Sequence, residues 1–90
     1  VKLYYLLRTR NDGRYLTAQP QPEQRFLLLF NEAADALSYL NTHARELSQH
    51  FAVETITNSQ VTSILQRWGF QGVALVEDPL LARMEFFKPT

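Results

Sequence analysis

Five consecutive apolar residues, Phe26-Leu27-Leu28-Leu29-Phe30, stand directly before Asn31 and a segment of helical apolar spacing. A run this short, β-prone at both ends and closed by a turn residue, reads as a strand buried on both faces. Asn31 fits an N-cap, because its side-chain oxygen can accept from the free N–H groups of a first helical turn, and Glu32 and Asp35 place negative charge at the positive helix end. Ala33, Ala36, Leu37, Leu40, Ala44 and Leu47 then fall within about 60° either side of one line on a helix. Strand and helix together form the core unit around which the rest of the chain must arrange itself. Such a unit determines a fold and carries no chemistry.

The flanking segments supply the remaining elements. Leu3 to Arg8 is apolar on both faces and suits an interior strand. Arg10-Asn11-Asp12-Gly13 is a hairpin turn, since glycine accepts the positive φ such turns require, and Arg14 to Ala18 returns antiparallel. Gln19 to Gln24 is polar with two prolines and reads as a surface loop. Past the first helix, which is expected to end near Ser48 to His50, Phe51 to Ile56 is a short strand. Thr57-Asn58-Ser59-Gln60 matches a capping box. Val61, Ile64, Leu65 and Trp68 follow at i, i+3, i+4 and i+7, with Gly69 and Phe70 placed to close a Schellman motif. Trp68 is expected in the core. Gly72 to Glu77 and Leu80 to Phe87 form a hairpin around Asp78-Pro79.

The expected fold class is therefore α+β: a single domain, residues 1–90, with a mixed, mainly antiparallel sheet of five to six strands and two helices packed on one face. Ninety residues at 46% apolar and 20% charged bury roughly 60 to 65% of the unfolded surface, enough for one core. Several strands are apolar on both faces, so the second face is expected to be open, and a contiguous apolar patch of several hundred Å² marks an interface.

The pattern LLLFNEAADALSYL followed by FAVETITNSQVTSILQRWGFQGVALVEDP resembles a family of small cyanobacterial and plastid domains. In these a strand ends in Phe plus a polar cap, enters an alanine-rich helix and continues through a short strand, a second short helix and a closing strand. A looser likeness is to the N-terminal domain of the SseB family, with Asp78-Pro79 at the place of an Asn-Pro dipeptide. The resemblance covers roughly residues 1 to 79 and implies an α+β domain. It brings no activity and no functional residue.

Composition removes several function classes. Nine basic and nine acidic residues cancel, so the chain lacks the positive field that nucleic-acid and anionic-membrane binders show. Tyr4, Tyr5 and Tyr15 are for the same reason not read as a base-stacking face. No apolar run approaches the roughly 20 residues of a membrane span, and nothing reads as a signal peptide, so a cytoplasmic location is expected. Without cysteine there is no thiolate site. No catalytic, cofactor or metal site is expected: no serine or threonine has a histidine and acid at recognisable spacing, three glycines make no phosphate loop, and adjacent Glu77 and Asp78 diverge on a strand.

Three surface constellations remain. Arg8, Arg10 and Arg14 around the first turn could grip a carboxylate or phosphate, against the plainer reading of a solvated turn neutralised by Asp12. Tyr39, His43, Glu46 and His50 share one helix flank, which could face a partner; the two histidines are seven apart, too far to chelate one ion. Leu81, Phe87, Tyr4 and Leu6 belong to the doubly apolar strands and are candidates for an interface. The expected function is a non-enzymatic interaction or assembly module with a protein partner or a second copy in a homodimer; the alternative is a sensor of small anionic ligands.

Overall fold

A computed structural model describes residues 2–88. In chain order the elements are β1 (Leu3–Thr9), β2 (Thr17–Ala18), β3 (Phe26–Phe30), α1 (Ala33–His43), a 3₁₀ segment (Arg45–His50), β4 (Phe51–Thr57), α2 (Asn58–Trp68), β5 (Gly72–Asp78) and β6 (Arg83–Phe87). The fold is α+β: one six-stranded mixed sheet, mostly antiparallel, in the order β4-β1-β3-β5-β6, with β2 attached to β3. All five side chains of β3 are buried, as its unbroken apolar run requires. β3 pairs parallel with β5 from Phe26↔Gly72 to Phe30↔Val76 and antiparallel with β1 at Tyr5↔Phe30.

The hairpin return is shorter than the sequence implies. Beyond the isolated Arg8↔Tyr15 bridge, the chain wedges between β1 and β3: the Leu16 N–H bonds the Leu7 carbonyl at 2.9 Å, and the Leu16 carbonyl accepts from Leu28 at 3.2 Å. Only Thr17 and Ala18 form ladder partners, to Leu27 and Phe26. β1 and β3 therefore splay apart at one end, and the wedge supplies the missing backbone partners.

The helices lie on opposite faces of the sheet, not on one face. β3–α1–β4 crosses β1 in one direction, whereas β4–α2–β5 returns across β1 and β3. Right-handed crossovers that travel in opposite directions deposit their helices on opposite faces. One core layer accordingly joins Leu7, Leu28, Phe30, Ala74 and Val76 to Ala36 and Leu40 of α1. The other joins Leu6, Leu27, Leu29 and Ile56 to Val61 of α2 and to Phe70. Each buried leucine or phenylalanine contributes roughly 1.5–3 kcal/mol of transfer free energy. The expected second open face is thus covered, and the apolar excess of the central strands is used inside the molecule.

The helix ends divide into one that matches its sequence signals and one that does not. At α2, the Thr57 hydroxyl accepts from the Gln60 N–H at 3.4 Å and the Gln60 side-chain oxygen accepts from the Thr57 N–H at 2.9 Å. Gly69 adopts the left-handed conformation at φ 71°, and both its N–H and that of Phe70 bond the Leu65 carbonyl, which closes the helix. α1 instead starts after Glu32, an extended residue with no side-chain cap bond, so Asn31 is not its cap. α1 also stops at His43, where Ala44 leaves helical geometry at φ −146° and ψ 42°. The His50 carbonyl must reach the Arg10 N–H, 2.8 Å away, and the tighter 3₁₀ segment brings the chain back to the sheet edge. Leu47, the last residue of the apolar stripe, is consequently exposed.

Candidate functional site

The three arginines of the first turn do not act together. Arg8 points to the α2 face and has three partners: Nε donates to the Gly13 carbonyl at 2.9 Å, Nη1 lies 3.6 Å from Glu54, and the guanidinium stands 4.9 Å above the Tyr15 ring. Arg10 lies toward the α1 side, where Nε donates to the Phe51 carbonyl at 3.3 Å beside a hollow bordered by Leu37 and Asn41. Arg14 stays exposed, 3.3 Å from Asp12. Asp12 itself is held below the usual carboxylate range, chiefly by the Thr9 hydroxyl, against the opposing effect of desolvation and with further help from the backbone and charge of Arg14.

What the fold does bring together is Arg14, Tyr15 and Arg25 with Trp68 and Phe70, around a cavity of about 520 Å³ at the C-terminal end of α2. The Tyr15 ring meets Trp68 edge-on, centroids 5.3 Å apart and planes at 81°, and Trp68 overlies Phe70 at 6.2 Å and 22°. Trp68 is 42% exposed and so is not a core residue, although it occupies the fourth position of an ideal apolar stripe. The helix ends there, and the sheet beneath is already filled by Phe70. Arg25 precedes β3, and strand alternation places it on the same face as Leu27 and Leu29. Its backbone is clamped by Gln71, whose side-chain oxygen accepts from the Arg25 N–H at 2.7 Å and whose own N–H donates to the Arg25 carbonyl at 2.9 Å. Gln71 Nε2 also donates to the Glu23 carbonyl at 3.1 Å, which ties down the preceding loop. The alternation of residues 25, 27 and 29 was the available signal for Arg25.

The expected interface residues separate in the same way. Leu6 is 1% exposed beneath α2 and is not available to a partner. Tyr4, half-buried with Lys2 Nζ 5.3 Å from its ring, and Phe87 border a common apolar hollow of about 200 Å³ with Leu29, Val61 and Leu75. Leu81 lies in the turn before β6, because the Asp78 carboxylate takes the N–H groups of Leu80 and Leu81 at 3.0 and 3.4 Å and delays the strand to Arg83. Leu80, Leu81, Phe86 and Phe87 are all exposed, by 61, 68, 43 and 45%.

Tyr39, His43, Glu46 and His50 do not form one helical flank, since α1 ends at His43 and the other two belong to the 3₁₀ segment. Tyr39 packs edge-on against Phe30 at 5.5 Å, and burial pushes its hydroxyl above the ordinary tyrosine range. His43 tilts over Tyr39 at 4.8 Å and places Nε2 2.9 Å from the Pro79 carbonyl oxygen, which fastens α1 to the β5–β6 turn. Among the described residues no three of His, Cys, Asp and Glu gather as a metal set. No described helix is long and apolar enough to cross a membrane. No protein-family model, curated protein or solved structure matches this chain.

Proposed function

We propose that this chain is a non-enzymatic assembly module that joins a second copy of itself through the outer edge of β6 and the turn before it. The observation that carries this reading is the exposure of Leu80, Leu81, Phe86 and Phe87 within one edge hairpin. β6 pairs with β5 on one side only, so its other side offers ladder groups to an added strand. A second copy fits that edge by charge. Arg83 and Glu85 alternate with Met84, and antiparallel pairing centred on Met84 sets Arg83 of one copy opposite Glu85 of the other, twice over. The same register brings Leu81 toward Phe87 of the second copy. The chain carries no net charge, so two copies approach without overall repulsion.

An interface on one five-residue strand and its turn belongs with the small ones, below about 1,200 Å², the class of weak and transient contacts. Sedimentation equilibrium of the Leu81→Asp and Phe87→Asp variants tests it. Leu81 packs against little within its own chain, so Leu81→Asp is expected to keep the wild-type circular dichroism and to sediment as a monomer. Unchanged association in both folded variants contradicts the proposal.

A further inference from the structure

We infer that the groove between the β1–β2 connection and the end of α2 binds a small ring-bearing anion, a flat aromatic or heteroaromatic ring that carries a phosphate or a carboxylate. Trp68 and Tyr15 would face the ring, and Arg25 with Arg14 would hold the anionic group. This site lies apart from the β6 flank, shares no residue with it, and stands whether or not the chain self-associates.

The first argument is the contrast between Arg8 and Arg25. Arg8 has a carbonyl, a carboxylate and an aromatic face for its guanidinium, which makes it part of the structure. Arg25 makes no ion pair among the described residues, yet its backbone is fixed from both sides by Gln71. A cation on a tethered backbone with a free side chain loses less freedom when it closes on an anion than one on a mobile loop. Arg14 shares the rim: its Nε lies 3.3 Å from one Asp12 oxygen at an exposed contact, while the other Asp12 oxygen takes the Thr9 hydroxyl and the Arg14 N–H.

The second argument is Trp68. A tryptophan two-fifths exposed at a helix end, edge-on to Tyr15 and stacked with Phe70, presents apolar surface beside two guanidinium groups. Rings pack on such surfaces, and guanidinium groups recognise carboxylate and phosphate through paired N–H bonds. The cavity, about 520 Å³, falls within the roughly 300–1,000 Å³ of small-molecule sites. Ring and anion are therefore required together, which separates this site from a plain anion contact at the turn.

Trp68 is the sole tryptophan of the chain, so intrinsic fluorescence reports on the site directly. The full chain is titrated with adenosine monophosphate and with phenylacetate, which present the phosphate and the carboxylate on a ring. Adenosine and inorganic phosphate serve as controls for each half. Saturable quenching by at least one ring-bearing anion is expected, about tenfold tighter than by either control and weakened about tenfold in Arg25→Gln or Arg14→Gln. Calorimetry on the same variants, with circular dichroism to confirm their fold, gives the second readout. The inference is overturned if neither ring-bearing anion saturates, if inorganic phosphate binds as tightly as adenosine monophosphate, or if both variants bind as the wild type does.

Discussion

Gly72 opens β5 where β6 ends beside it, and a Cβ at that position would stand 2.0 Å from the Phe87 carbonyl oxygen. The obstacle is backbone, so the strands themselves would have to part. Gly72→Ala is expected to destabilise the chain by ~1–3 kcal/mol, as overpacking does, and denaturant unfolding will measure it. Glu85 carries the opposite kind of strain. Its carboxyl is held above the ordinary range by hydrogen bonding to Glu77, then by desolvation and by the charge of Glu77. A folded pKa above the unfolded one means that the folded chain holds this proton more tightly. The associated stability is present in acid and is lost as pH rises from the unfolded value through the raised one. Glu85→Gln should therefore stabilise the dilute chain at neutral pH, with the gain closing below the ordinary carboxylate range; a gain that persists in acid contradicts this assignment.

At the scale of elements, the charge order of β6 makes a stringent demand. If antiparallel pairing centred on Met84 holds two copies together, Arg83→Glu sets Glu against Glu85, and Glu85→Arg sets Arg against Arg83. Each single variant should associate at least about tenfold more weakly than the wild type, since like charges directly opposite destabilise a strand pair. A mixture of the two variants should associate as the wild type does. Failure of the mixture to recover would rule out this register. Much of the element order was legible because α2 is defined locally: the Thr57–Gln60 box and Gly69 specify both ends by contacts within a few residues. The end of α1 was not, because the stop at His43 answers to a distant demand, the bond from Arg10 to His50. The start of β6 moved for a local reason that periodicity does not register, the capture of two N–H groups by Asp78.

In the whole molecule, the apolar content of the strands was readable while its destination was not. Leu6 and Leu7 point to opposite faces and each meets a helix, an outcome set by the order in which β4 and β5 are added to the sheet. Pattern alone leaves that order open, and a different order would put both helices on one side and expose the other. The candidate sites follow the same division. Arg14 and Phe87 were visible as residue types in suggestive places, whereas Arg25 and Trp68 join the groove only once β3, β5 and the end of α2 converge. With both faces covered, the two most exposed large apolar side chains, Leu80 and Leu81, lie at the β5–β6 hairpin, where we propose that two copies associate. Molar mass by light scattering across roughly a hundredfold range of concentration tests it most directly. The mass should rise from the 10.5 kDa of a single chain toward twice that value as concentration increases. A mass that stays at 10.5 kDa throughout would contradict it.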